Sequence, residues 1–314
     1  MPTVGLIGVG LVGRAWANVF SRAGWDVQAW DASPEATANA PRLVAESLHD
    51  LARHGLVKEP DAAAKRVKAA ATLEDAVAGV DFVQESGPET IDAKIAIWKL
   101  LDAAAAPETI LVSSSSAIVA SRFTEHLKGR HRCLIAHPVN PPHVVPIVEL
   151  CGAPWTSPDV VKKARAIYES IGQVPMVINK EIDGFILNRM QAVLLSEAFR
   201  LVSEGYCSAE DLDKTIAHGL GLRWSFMGPF ETIEMNAPGG IPDYCARFSK
   251  TMSGLASRPY TPDTFEPENV ARIMASWGKS PTAAEVADKS RWRDERLAAL
   301  VAHKRAQKPH KAWR

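Results

Sequence analysis

Short apolar runs alternate with helically spaced stretches through the first half of the chain. Val4–Ile7, Val27–Trp30, Phe82–Gln84, Ile110–Val112 and Cys133–Ala136 read as strands. Between them, Leu11–Ala23, Pro34–His54 and Ile91–Ala106 repeat apolar residues at the spacing of one helix face. This alternation predicts an α/β fold: a doubly wound, Rossmann-type parallel sheet with helices on both faces. Residues 56–70 (LVKEPDAAAKRVKAA) lengthen one crossover and predict a helical hairpin there.

After Val148–Leu150 the pattern changes. Ser157 and Pro158 open a helix whose apolar face is Val161, Ala164, Ile167, Tyr168 and Ile171. Val174–Ile178 predicts one last strand. From Gly184 onward only helices are expected: Phe185–Gly205, Ala209–His218 behind a Ser208 cap, and two more near 268–277 and 282–306. The stretch 236–267 is rich in Pro, Gly and aromatic residues. The expected organisation is a Rossmann domain over 1–180 and an all-helical C-terminal domain over 181–314.

Composition narrows the function. Among 314 residues, 46% are hydrophobic and 23% charged, and 36 basic residues balance 36 acidic ones. No net field favours nucleic acid or an anionic membrane. The basic stretch from Lys304 to Arg314 reads as a solvated tail. No apolar run approaches the roughly 18 to 20 residues needed to span a bilayer, and Met1 leads straight into a strand without a secretory leader pattern. Cys133, Cys151, Cys207 and Cys245 are widely spaced and form no CxxC, so neither disulfides nor a metal site is expected and a cytoplasmic location is.

The first strand ends in Gly8-Val9-Gly10-Leu11-Val12-Gly13, which opens the first helix. A lone G-x-G-x-x-G says little, and glycines here could serve packing alone. The strand before it, the helix after it and Asp31 at the end of the second strand favour a dinucleotide site. Glycines permit a tight turn and close approach of the pyrophosphate, while the helix N-terminus offers free N–H groups and a positive dipole end. Asp31 would accept bonds from the ribose hydroxyls and repel a 2′-phosphate, which favours NAD over NADP.

Oxidising a carbinol needs a base for the hydroxyl proton, and histidine suits that task near neutrality. His137 ends a predicted strand and leads into a proline-rich loop, where ligands meet an open α/β sheet. Glu149 lies in an otherwise apolar run, where an unpaired carboxylate would be costly to bury. Taken singly, His137 fits a structural role better than a catalytic one, and Glu149 fits a partner to some basic residue. The run Ser113–Ser116 reads either as a polar turn or as hydroxyls placed to donate to a substrate oxygen. No G-x-S-x-G elbow supports nucleophilic catalysis.

Further segments match one family: Ser113–Ser116, HPVNPPHVVPIVEL (His137–Leu150), EIDGFILNR (Glu181–Arg189), FVQESGPE (Phe82–Glu89), GLGLRWSFMGPFET (Gly219–Thr232) and WRDE (Trp292–Glu295). With the glycine loop they resemble the 3-hydroxyacyl-CoA dehydrogenase family along nearly the whole chain. Within it the resemblance is to the lambda-crystallin, or L-gulonate 3-dehydrogenase, branch, and to the related carnitine dehydrogenases. It implies His137 as general base with Glu149 as its orienting partner, and Ser116 and Asn188 on the reacting oxygen and the base. It implies Glu89, Lys94, Ser116 and Asn140 at the nicotinamide end, and a homodimer built through the helical domain. One departure is visible: Ser114-Ser115 stand where the family often has Asn-Thr.

The substrate expected is a small free 3-hydroxy acid. Family members acting on acyl-CoA have a shorter turn before MGPFE, whereas this chain inserts about two residues and Arg223. A guanidinium pairs bidentately with a carboxylate, which a thioester lacks. Arg223 also reads as a plain surface residue at a helix end. A 3-hydroxyacyl-CoA substrate is the competing reading, with Arg53, Lys58, Lys65, Arg66 and Lys68 either meeting CoA phosphates or forming a solvated face. A non-catalytic, crystallin-like role would not need Ser116, His137, Glu149 and Asn188 all in place.

Overall fold

A computed structural model describes residues 1–255, 266–277 and 282–307. Its strands are β1 (Thr3–Ile7), β2 (Asp26–Trp30), β3 (Val67–Ala69), β4 (Phe82–Glu85), β5 (Ile110–Ser113), β6 (Cys133–Pro138), β7 (Ile147–Gly152) and β8 (Val174–Ile178). They form an eight-stranded sheet in the order β3-β2-β1-β4-β5-β6-β7-β8. From β3 to β6 every neighbouring pair is parallel. The order reverses between β1 and β4, which opens a crevice at the carboxyl ends of those strands.

The sheet is not parallel throughout. β7 runs antiparallel to β6, and β8 follows β7. The reason lies in the connection: residues 139–146 are fewer than the dozen or so that a parallel crossover requires, so the chain turns straight back.

Successive strand residues enter opposite cores, as the two-residue period of a strand requires. Val4, Leu6, Phe82, Val112, Leu134 and Ala136 join one apolar cluster with Trp16 and Phe20. Ile7, Val83, Leu111, Cys133 and Ile135 join the other, with Trp98, Phe123 and Phe185. The flanking helices are α1 (Leu11–Arg22), α2 (Pro34–Arg53), α3 (Pro60–Ala64), α4 (Leu73–Val77), α5 (Ile91–Ala104), α6 (Ser121–Thr124) and α7 (Pro158–Ser170). The 56–70 hairpin expected from the sequence is instead short α3 followed by β3, whose Val67 is buried and pairs with Val27. Three strand residues carry too little periodicity to stand out in an alanine-rich stretch.

The helices after β8 are α8 (Phe185–Ser203), α9 (Ala209–Thr215), α10 (Gly221–Trp224), α11 (Pro229–Met235), α12 (Gly240–Leu255), α13 (Pro267–Trp277) and α14 (Ala283–Ala306), with a π-helical turn at Ile216–Leu220 before α10. Most of the described part of the 236–267 stretch is helix α12, and residues 256–265 lie outside the described residues. By contacts the chain groups into one unit of 1–187 with the described part of 288–314, and a second of 188–287. Where the sequence suggested a single cut near 180, the end of α14 joins the first unit: Ala298 is buried there, with Leu297, Val301 and Ala302 packed beside it. Among the described residues no helix is long and apolar enough to cross a membrane, and no cluster of His, Cys, Asp or Glu is arranged to hold a metal ion.

Candidate active site

The glycine loop is built by three glycines with three different constraints. Gly8 has φ +89°, and a Cβ there would lie 2.7 Å from the Ser86 carbonyl oxygen. A Cβ on Gly13 would collide with the Gly8 carbonyl oxygen. Gly10 has no protein atom within 4 Å of a Cβ position, so its face is open to a ligand. No side chain caps α1 at Gly10, and its first turn carries no acidic residue, which leaves the positive end of the helix for an anion. Leu11, 73% exposed, and half-buried Val12 complete the loop. Asp31 stands beside it, its Oδ2 accepting the Val9 N–H at 2.9 Å and its Oδ1 the Ser33 N–H at 2.9 Å.

Next along the carboxyl edge lies a charge network centred on Glu85, a residue the sequence did not single out. Glu85, at the end of β4, is fully buried and accepts from Lys94 Nζ at 2.8 and 2.9 Å, Trp98 Nε1 at 3.0 Å and Ser113 Oγ at 2.7 Å. Lys94 is thus a buried ion-pair partner of Glu85, with Glu89 Oε2 farther off at 3.9 Å. Glu89 Oε1 in turn gathers the Ser115 hydroxyl at 2.6 Å and the N–H groups of Ser116 and Ala117 at 2.9 and 3.0 Å. Burial raises the Glu89 pKa, but the Ser115 and backbone hydrogen bonds together with Lys94 outweigh it and hold the carboxyl below its ordinary value.

The serine run therefore divides its labour. Ser113 serves Glu85 and Ser115 serves Glu89. Ser114 Oγ accepts from Trp16 Nε1 at 3.1 Å and Gln84 Nε2 at 2.8 Å and lies 2.8 Å from Ser86 Oγ. Ser116 is exposed at the end of the run.

His137 and Glu149 meet across the antiparallel β6–β7 ladder, where they are register partners. Both are buried, and His137 Nδ1 lies 2.7 Å from Glu149 Oε2. The other carboxylate oxygen, Oε1, accepts the N–H groups of Ile186 and Leu187 at 2.9 and 3.0 Å, the first turn of α8. A carboxylate at Nδ1 favours the neutral tautomer protonated there, which leaves Nε2 as the acceptor. The Phe185 ring lies 5.4 Å from the His137 ring, centroid to centroid.

The loop after β6 holds exposed Asn140 and then His143, whose carbonyl accepts from Arg22 Nη1 at 2.7 Å. Burial and the neighbouring Arg22 push the His143 pKa down to about 4, and its buried Nδ1 has no hydrogen-bond partner among the described residues. Burial, with Arg305 nearby, lowers the Arg22 pKa to about 10.

Asn188 and Arg223 belong to the second unit. Arg223 is exposed on α10, directly after the π-helical turn, and has no ion pair among the described residues. A π turn is how a helix absorbs inserted residues, and it often marks a functional site. Of the residues missed from sequence, Glu85 was findable: like Glu149, it is a carboxylate in an otherwise apolar strand.

A doubly wound sheet, an open glycine turn on an uncapped helix and an acidic residue after β2 define a dinucleotide-binding dehydrogenase. The chain belongs to the 3-hydroxyacyl-CoA dehydrogenase family, matching its NAD binding domain over residues 3–182 and its C-terminal domain over 184–286. It is 38% identical to lambda-crystallin of Oryctolagus cuniculus, covering 97% of each chain. It is 34% identical to L-carnitine dehydrogenase of Pseudomonas aeruginosa, over 96% of this chain and 93% of that one. Among solved structures, an NAD-dependent dismutase, 5-formyl-3-hydroxy-2-methylpyridine 4-carboxylic acid 5-dehydrogenase, superposes with a TM-score of 0.83. The two are 26% identical, and the match covers 98% of this chain and 100% of that one. The cofactor is NAD, and the open face of Gly10 above the α1 N-terminus fits its pyrophosphate.

Proposed function

We propose that this NAD-dependent oxidoreductase oxidises the 3-hydroxyl of a small free 3-hydroxy acid, with His137 as general base. The 2.7 Å bond between His137 Nδ1 and Glu149 carries this reading. His137 Nε2 takes the hydroxyl proton, and Glu149 steadies the imidazolium that results. Ser116 and Asn188 contact the reacting oxygen. Gly8, Gly10, Leu11, Val12, Gly13 and Asp31 hold the adenosine and pyrophosphate portion of NAD, and Glu89, Lys94 and Asn140 its nicotinamide end. Bound NAD supplies the hydride acceptor.

Arg223 receives the substrate carboxylate. Its exposure, its lack of an ion pair among the described residues and its place after the π turn support this. Carnitine, the compound named in one relative, is itself a free 3-hydroxy acid. The second reading, a 3-hydroxyacyl-CoA, draws its support from the family name and from the likeness to solved 3-hydroxybutyryl-CoA dehydrogenases at 25% and 26% identity. The test compares NADH formation with L-gulonate, 3-hydroxybutyrate and carnitine against 3-hydroxybutyryl-CoA. Turnover of a free acid alone is expected, and Arg223→Met should then raise KM for that acid by about 100-fold. Faster turnover of the CoA ester would overturn the substrate assignment and leave the His137 mechanism standing.

A homodimer fits the helical unit, whose α8 exposes Met190, Val193, Leu194 and Leu195 together. Light scattering at micromolar concentration tests it: a monomer mass would refute the dimer. Four free cysteines fit a cytoplasmic location.

A further inference from the structure

We infer that Phe185 is a positioning residue for the base, because its left-handed backbone lets the single segment Gly184–Leu187 grip both members of the His137–Glu149 pair. The inference rests on the reading of His137 as the base.

Phe185 is the one non-glycine residue at positive φ among the described residues, at +49°, and it follows Gly184 at +73°. A bulky residue in this region is strained, and such strain persists only where the surroundings over-determine it. Filling the core does not require it, since an apolar side chain on ordinary backbone does that equally well.

The turn has two results that ordinary backbone would not give together. First, it closes with the Phe185 N–H on the Ile182 carbonyl at 3.1 Å and starts α8 immediately, so the N–H groups of Ile186 and Leu187 both reach Glu149 Oε1. These are first-turn donors with no partner inside the helix, and the positive end of the helix favours a carboxylate there. Second, it lays the fully buried Phe185 ring against His137, the two planes 36° apart.

Glu149 fixes one edge of the imidazole but not its plane, because a ring held by one hydrogen bond can still rock about it. Packing against Phe185 removes that freedom and fixes the direction of Nε2. Glu149, held at both oxygens, cannot follow a ring that tilts. A misdirected Nε2 would slow proton removal without weakening cofactor binding.

The test uses Phe185→Gly, which relieves the strained φ while removing the ring, and Phe185→Leu, which keeps apolar bulk in the core. NADH binding is read by fluorescence, turnover by kcat, and the His137 tautomer by ring 15N shifts, assigned by their loss in His137→Gln. In both variants kcat should fall about 10-fold or more while the NADH dissociation constant stays within about twofold. The 15N shifts should move from a fixed Nδ1–H tautomer towards a mixture. An unchanged tautomer, or kcat within about twofold of the parent, overturns the inference. Loss of NADH binding along with kcat also overturns it, since Phe185 would then only support the fold. Activity surviving in His137→Gln would instead refute the base assignment.

Discussion

Glu149 faces His137 as its register partner in the antiparallel β6–β7 pair and binds α8 with its second oxygen. Direct partners share a sheet face, so the ladder itself brings imidazole and carboxylate together. Glu149→Gln keeps the shape and exchanges an acceptor for an amide that no longer selects the Nδ1–H tautomer. We expect kcat to fall by about 100- to 10,000-fold with NADH binding intact. A loss below about 10-fold in steady-state turnover would remove Glu149 from the mechanism.

The glycine loop separates folding from binding. Gly13→Ala drives a Cβ into the Gly8 carbonyl, so it should lower Tm sharply. Gly10→Ala meets no protein atom and should keep Tm, yet weaken NADH by about 10-fold or more by filling the space beside the helix N-terminus. Thermal melts with and without NADH distinguish the two, and equal Tm losses would refute the assignment of Gly10 to the ligand.

Glu85 and Lys94 form a buried ion pair, with side chains 0% and 1% exposed. Removing one charge strands the other, so Glu85→Gln should cost about 3–5 kcal/mol of stability. The double variant Glu85→Gln/Lys94→Met leaves no stranded charge and should recover most of that loss. Urea denaturation of the two singles and the double measures the coupling. Additive losses would mean that Lys94 is not stabilised by Glu85.

His143 should give the protein an acid-sensitive window. Its ordinary value is 6.5 and its folded value about 4. Between those values the unfolded chain binds a proton that the folded chain refuses, so stability is full above about 6.5 and falls as pH drops towards 4. The total is about 3 kcal/mol at roughly 1.4 kcal/mol per pH unit. His143→Gln should flatten this slope in urea melts run between about pH 7 and about pH 4.5. An unchanged slope would place the titrating group elsewhere.

Much of the fold was legible because strand and helix periods differ. β1, β2, β4, β5, β6 and β8, with helices α1, α2, α5, α7 and α8, stand where apolar spacing suggests. Edge strand β3 was not, since three residues carry no period. The ion pair of Lys94 with Glu85 was not legible either, because a sequence lists charges without pairing them. Phe185 read as one more apolar residue, since nothing in a sequence prints a φ angle.

The sequence by itself determined the kind of protein. A glycine turn is legible because no other residue type meets its steric demand, and a carboxylate in an apolar strand must find a partner. The tertiary structure decided the partners. Which strand runs backwards, which oxygen of Glu149 meets His137 and which serine meets which carboxylate depend on register and on contacts between residues far apart in the chain. Local spacing constrains the first kind of information, and only the packed sheet supplies the second.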